Sequence, residues 1–311
     1  MIGIRSIGCY VAPDTISNLE RAGRAGKDKA FISDKIGFES VARLPHGVQT
    51  SDMCVAAFED LRGHARIATG DIDCLIVCTQ NPDAHGLPHT SAVVHGKLGL
   101  GHDVACFDIS LGCSGYVYGL SVLQAFMQAN DLHNGLLFTA DPYSRILDPE
   151  NWDTELLFGD AASCTWLGAA PVYRCRPAMF GTDGSMGHSI QVAQAGGTLS
   201  MLGSNVFKFS MTTVPDQIQR YLQREALSVD DIDVFLFHQG SRFIVENLAR
   251  KMRLPADKVP FEASHTGNTV SSSLPLLLRS RLEARPPRIL MSGFGVGLSW
   301  ATMVLEATKQ Q

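Results

Sequence analysis

Asp108-Ile-Ser-Leu-Gly-Cys-Ser-Gly-Tyr-Val-Tyr-Gly-Leu120 holds a complete strand-turn-helix transition. An apolar run from Val104 to Ile109 ends at Gly112-Cys113-Ser114-Gly115. Tyr116, Leu120, Leu123 and Phe126 then recur at helical spacing on one apolar face. The small residues beside the cysteine permit a tight turn and close approach of a ligand to the backbone. Cys113 thus falls at a helix N-terminus, where free N–H groups and the helix dipole favour a thiolate. A buried cysteine acting as a small hydrophobe fits the same pattern. This stretch alone does not separate nucleophile from core residue.

The surrounding composition narrows the possibilities. The chain has 311 residues, 45% of them hydrophobic and 18% charged, enough for two domains or one large core. A net charge of −5 argues against nucleic acid as the main partner. The longest apolar runs are too short to span a membrane. Met1-Ile-Gly-Ile-Arg-Ser reads as a first strand rather than a signal peptide. The eight cysteines contain no Cys-x-x-Cys pair, so neither a zinc site nor a disulfide scaffold is expected. A reduced, cytoplasmic protein is the simplest expectation.

Residues 2–12 predict a strand. Arg21, Arg24, Lys27 and Lys29 read as a solvated helix face and loop. Ser51 or Asp52 is expected to cap a helix through about Leu61, followed by a buried strand from Cys74 to Cys78. Asn81 to Pro88 is a loop, and Thr90 to Leu98 a helix. His85, His89 and His95 are metal-ligand types, but the loop prolines and the lack of a carboxylate pair argue against a metal. Asn134 to Ala140 predicts a strand and Asp141 to Thr154 a polar loop. Leu156 to Leu167 predicts a strand again. Helices are expected from about Ser204 to Ala226, from Ser241 to Met252 and from Gly267 to about Glu283. Val234 to Phe237, Arg288 to Met291 and Ser299 to Glu306 predict strands, with Gly293 to Gly297 as a glycine loop. Short apolar strands alternating with helices give an α/β class with largely parallel sheets.

An internal repeat sharpens this reading. Asp71-Ile-Asp-Cys-Leu-Ile-Val-Cys78 is echoed by Asp231-Ile-Asp-Val-Phe-Leu-Phe-His238. Gly112-Cys113 follows the first copy, and Gly267-Asn268 follows the second at a similar distance. Two similar halves, 1–168 and 169–311, would bring equivalent strand ends together. Cys113, His238 and Asn268 would then share one site. These three types can run acyl transfer: a thiolate attacks a thioester, and two neutral donors hold an enolate oxygen. A cysteine protease uses the same types, with asparagine orienting histidine. The doubled α/β pattern does not favour that arrangement.

Nearly the whole chain resembles the ketoacyl-ACP synthase III branch of the thiolase superfamily. The resemblance is carried by Asp108 to Gly115, Leu157-Phe-Gly-Asp-Ala-Ala162, Val206-Phe-Lys-Phe209, Phe237-His-Gln239, Gly267-Asn-Thr269 and Gly293-Phe-Gly-Val-Gly-Leu-Ser-Trp300, in the family's order. It implies a five-layered αβαβα thiolase fold and a homodimer. It implies Cys113 as the acylated nucleophile, with His238 and Asn268 promoting malonyl decarboxylation. The backbone N–H groups of Cys113 and Val296 would form the oxyanion hole, although the family usually has glycine at the latter position. Phe31 and Lys35 match an aromatic-plus-basic clamp on coenzyme A, where the family more often has tryptophan and arginine. Phe207, Gly240 and Gly295 are further expected substrate contacts. Lys208 and Arg242 are expected to meet an acidic acyl carrier protein, or to be merely solvated.

His85-Gly-Leu-Pro88 resembles the segment that crosses the dimer interface. Leu87 would shape the partner's acyl pocket, or else pack in its own core. Several relatives carry phenylalanine there, so leucine leaves room for chains longer than acetyl. The implied activity loads an acyl group from coenzyme A and condenses it with malonyl-ACP, as in fatty acid biosynthesis, with no permanently bound cofactor. Gln239-Gly-Ser241 departs from the family's Gln-Ala-Asn, and residues 31–45 lack its threonine- and arginine-rich stretch. These departures leave two other readings open: acylation of a hydroxyl or amine, and a non-catalytic synthase subunit.

Overall fold

Cys74–Cys78 is buried at every position, the pattern of a strand covered on both faces rather than one. It lies in a computed structural model that describes residues 2–194 and 196–309. The strands are β1 (Gly3–Val11), β2 (Asp14–Ser17), β3 (Ser40–Arg43), β4 (Cys74–Cys78), β5 (Ala105–Ile109), β6 (Gly135–Ala140), β7 (Ala161–Gly168), β8 (Tyr173–Cys175), β9 (Met179–Thr182), β10 (Ile190–Val192), β11 (Leu199–Met201), β12 (Val234–Phe237), β13 (Arg288–Gly295) and β14 (Ser299–Ala307). The helices are α1 (Asn18–Arg21), α2 (Thr50–His64), α3 (Thr90–Leu98), α4 (Gly115–Ala129), α5 (Trp152–Glu155), α6 (Gly203–Arg224), α7 (Arg242–Lys251) and α8 (Ser273–Arg279).

One hydrogen-bonded path runs β12-β13-β14-β8-β1-β7-β6-β4-β5, with β9 also paired to β14. The order β1-β7-β6-β4 is repeated, mirrored across the β8–β1 seam, by β8-β14-β13-β12. The largely parallel sheet expected from the sequence is not found. Among the strand pairs of the described residues, only β4 with β5, β4 with β6, and β12 with β13 are parallel. The short connection from β13 to β14 forces an antiparallel hairpin, and β7 likewise runs against both β1 and β6.

Helices α2 and α3 cover the outer face of the first half-sheet, and α6, with α7 upon it, covers the second. Helices α4 and α8 lie between the two half-sheets. The layers therefore run αβαβα. The middle layer buries Tyr116, Leu120 and Leu123 of α4 and Leu274, Leu277 and Leu278 of α8 against Ile4, Ile76, Ile289 and Met303. Burying each such aliphatic side chain contributes about 1.5–3 kcal/mol. That shared core fixes the two sheet ends relative to each other.

Several boundaries differ from expectation. Helix α2 starts at Thr50, because Asp83 takes the Thr50 N–H at 2.8 Å and Asp52 caps Gln49 at 2.8 Å. Strand β13 runs on through Gly295. Gly293 and Gly295 are strand residues that let Cys113 approach: a Cβ on them would lie 2.5 Å from the Cys113 carbonyl oxygen and 2.7 Å from its Sγ. Residues 156–160 are not strand. Leu157 O accepts from the Asn268 N–H at 2.8 Å, and the Gly159 N–H donates to Asn268 O at 3.0 Å.

Candidate active site

Cys113 sits where β5 hands over to α4, and it is 7% exposed. The backbone N–H groups of Cys113 itself and of Val296 are turned toward the sulfur and favour its charged form. The helix N-terminus suggested a thiolate, but burial wins. It pushes the Cys113 thiol from 9.0 up to about 12, with the Asp141 carboxylate acting in the same direction. A rise of that size exceeds the 0.3–2 kcal/mol, or about 1.5 pH units at most, that a helix terminus contributes. The Cys113 thiol is therefore neutral near pH 7, with the two backbone N–H groups turned toward it.

His238 follows β12, with its backbone N–H on Ser292 O at 2.9 Å. Its Nδ1 meets Ser273 Oγ at 2.7 Å, and the Phe294 ring stands edge-on at 5.7 Å. For Nε2 to donate, Ser273 must give its proton to Nδ1. Burial lowers the His238 pKa from 6.5 to about 3, so the ring is neutral near pH 7.

Asn268 lies in a loop that only glycine could enter. Gly267 has φ +79°, and a Cβ there would meet Val41 Cγ1 at 2.8 Å and Leu157 O at 2.9 Å. Asn268 Oδ1 accepts from the Val270 N–H at 2.9 Å, which leaves Nδ2 as the atom for a ligand.

Cys113, His238, Asn268, Gly295 and Val296 line one cavity of about 680 Å³ that also includes Phe31, Lys35, Phe207 and Gly240. Its floor is apolar, with Phe158 and Phe294. At the mouth, Phe207 stacks on Phe243 at 5.2 Å, and Lys35 Nζ lies 4.5 Å from the Phe243 ring. Lys27 Nζ lies 4.8 Å from the Phe31 ring.

Three expected contacts lie elsewhere. Leu87 is 85% exposed, so packing in its own core is ruled out, and it does not line its own chain's cavity. Lys208 is exposed. Arg242 is engaged within the chain: Nε donates to Ser33 O at 3.1 Å, and the guanidinium lies 4.5 Å from the Phe261 ring. The basic cluster is only partly solvated. Helix α1 ends at Arg21, which pairs with Glu155 at 2.7 Å, and Arg24 lies 5.7 Å from the Trp152 ring. His89 Nδ1 meets Ser91 Oγ at 2.6 Å and His95 Nε2 meets Gly101 O at 2.9 Å. Among the described residues no group of three or more His, Cys, Asp or Glu side chains is placed to hold a metal ion.

Sequence reading missed Tyr143, Trp152, Phe243 and Ser273. The signal for Ser273 was the Ser271-Ser272-Ser273 run after Asn268. Its hydroxyls go separately to Asp141, Thr139 and His238. Motif acids turn out to be structural. Asp108 receives the Thr90 and Ser91 N–H groups at the start of α3, at 2.7 and 2.8 Å. Asp160 receives the Leu44 N–H at 2.8 Å and the Ser144 hydroxyl.

Comparison with known proteins agrees with this geometry. Residues 107–184 match the model of the 3-oxoacyl-[acyl-carrier-protein] synthase III family, and residues 222–307 match that of its C-terminal region. A beta-ketoacyl-[acyl-carrier-protein] synthase III of Deinococcus deserti is 31% identical over 314 residues, covering 96% of this chain and 89% of its own. That of Limosilactobacillus reuteri is 30% identical over 322 residues, covering 97% and 98%. Among solved structures, the Thermus thermophilus synthase III superposes with TM-score 0.90 at 29% identity, covering 99% of this chain and 100% of that one. The Burkholderia xenovorans 3-oxoacyl-(acyl-carrier protein) synthase gives 0.89 at 30%, covering 98% and 94%. With Cys113, His238 and Asn268 on one cavity and this similarity along the full chain, the protein belongs to the 3-oxoacyl-[acyl-carrier-protein] synthase III family.

Proposed function

We propose that the protein is an acyltransferase that loads an acyl group onto Cys113 and condenses it with malonyl-ACP. One observation carries the reading. A thiol under two N–H donors shares a cavity with a neutral histidine and an asparagine whose Nδ2 is left for a ligand. The Cys113 sulfur attacks the carbonyl of an acyl-CoA, the carbon–sulfur bond to coenzyme A breaks, and the cysteine proton ends on the departing coenzyme A thiol. The N–H groups of Cys113 and Val296 hold the oxyanion. Malonyl-ACP then loses carbon dioxide, and His238 Nε2–H and Asn268 Nδ2–H hold the enolate oxygen. The enolate carbon attacks the acyl carbonyl, Cys113 leaves, and a 3-oxoacyl-ACP departs.

The half 1–168 supplies Cys113 in this scheme, and the half 169–311 supplies His238 and Asn268. Phe31, Lys35, Phe207, Gly240 and Gly295 face the incoming thioester, with Phe243 completing the mouth. Lys208 is the carrier-protein contact, since Arg242 is committed within the chain. A homodimer is proposed, with Leu87 of each subunit reaching the other's acyl pocket; its high exposure in the single chain fits that role. The test mixes the protein with a panel of acyl-CoAs and malonyl-ACP, followed by mass analysis of protein and products. A Cys113 adduct and a 3-oxoacyl-ACP are expected. An adduct without condensation would point to another acceptor, and no adduct would point to a non-catalytic subunit.

A further inference from the structure

Tyr143 lines the same cavity as Cys113 and is 3% exposed. Its ring packs on Phe158 at 5.0 Å, and its hydroxyl donates to Gln80 Oε1 at 2.6 Å. That Gln80 oxygen lies against Gly112, where a Cβ would stand only 2.6 Å from it. Gly112 directly precedes Cys113, so the polar pair packs against the turn that carries it. Both members are pinned to Asp141. The Gln80 N–H donates to Asp141 Oδ1 at 2.7 Å, and the Tyr143 N–H donates to Asp141 O at 2.8 Å. Asp141 itself is fully buried and also receives the Ser271 hydroxyl. The Tyr143 ring is therefore not free to swing out of the cavity.

An apolar pair at this position would avoid the cost of burying polar atoms. A tyrosine has one hydroxyl proton, and here Gln80 takes it. The phenolic oxygen keeps acceptor capacity, on a residue that shares the cavity lining with the apolar Leu156, Phe158 and Phe294. An acceptor there is complemented by a donor on the ligand. An ammonium group would have to lose its hydration in apolar surroundings, so a neutral hydroxyl is the better match. We propose that Tyr143, held by Gln80, is a specificity-determining residue that selects an acyl group bearing a hydroxyl near the thioester. This rests on the acyl-transfer reading of Cys113.

The experiment compares acylation of Cys113 by 3-hydroxybutyryl-CoA, as each enantiomer, and by butyryl-CoA, with rates from intact mass of the full chain. The better 3-hydroxybutyryl enantiomer should lead by about five-fold, the size of one hydrogen bond between neutral groups. In Tyr143→Phe that ratio should fall to about one. Gln80→Met, which removes the acceptor that orients the tyrosine proton, should lower it as well and serves if the first variant does not fold. A wild-type ratio at or below one overturns the inference, and so does an unchanged ratio in a folded variant. Labelling by other acyl-CoAs but by neither of these donors also overturns it while sparing the acyl-transfer reading. No labelling by any acyl-CoA removes both.

Discussion

Replacing Gly295 with alanine tests the closeness of β13 to Cys113. The added methyl would lie 2.7 Å from Cys113 Sγ and 2.9 Å from its Cβ. Carbon–sulfur contacts at that distance are not sustainable, and neither side can yield easily. Gly295 is in a buried strand, and Cys113 is at the start of a helix held in the middle layer. Overpacking of this kind costs about 1–3 kcal/mol of stability. The effect on chemistry should be larger, because the Val296 N–H is the next donor along the chain and moves with β13. Losing one oxyanion donor typically costs about 10²–10³ in rate. Gly295→Ala should therefore unfold at lower urea and acylate Cys113 at least about a hundred-fold more slowly. Gly63→Ala is the control, since a Cβ there meets nothing within 4 Å. Wild-type acylation and stability in Gly295→Ala would refute the packing described for the Cys113 turn.

His238→Ala and Asn268→Ala should still acquire the acyl adduct but decarboxylate malonyl thioester about 10²–10³ more slowly, measured by carbon dioxide release; lost acylation with normal decarboxylation would reverse their roles. Decarboxylation should show no inflection near pH 6.5 from His238, whose pKa is lowered to about 3 by burial. Because the unfolded chain takes up that proton first, this histidine's contribution to stability should be full above pH 6.5 and fade as pH falls toward 3, followed by urea titration across that range. Cys113 acts oppositely: its pKa is raised to about 12, so its contribution should be full below the unfolded value near 9 and fade as pH rises toward 12. Leu87→Phe should shift acylation toward shorter donors while sedimentation matches the wild type, and an unchanged chain-length profile would remove Leu87 from the proposed pocket.

The strand, turn and helix around Cys113 were legible because an apolar run, a cluster of small residues and a helical period follow each other without ambiguity. The repeat correctly suggested that distant strand ends meet, and Cys113, His238 and Asn268 do line one cavity. What failed has physical reasons. Gly293 and Gly295 look like loop residues in sequence, but they are strand residues whose missing side chains make room for Cys113. Strand direction was misread because a parallel and an antiparallel buried strand have the same apolar pattern. The thiol's state was misread because the helix terminus is visible in sequence, while the burial that outweighs it is not. Tyr143, Gln80 and Asp141 carry no motif, and only the folded chain brings them together against the Cys113 turn.

The central claim is that Cys113 carries the acyl group. Intact mass after incubation with an acyl-CoA panel, on wild type and on Cys113→Ala, measures it directly. One acyl group per chain is expected on the wild type, mapped to the peptide containing Cys113, and none on the variant. Buried strand cysteines such as Cys78 and Cys164, whose thiols are pushed well above the usual range by burial, should stay unmodified. An adduct that forms at the same rate on Cys113→Ala, or that maps to another cysteine in the wild type, would contradict the account.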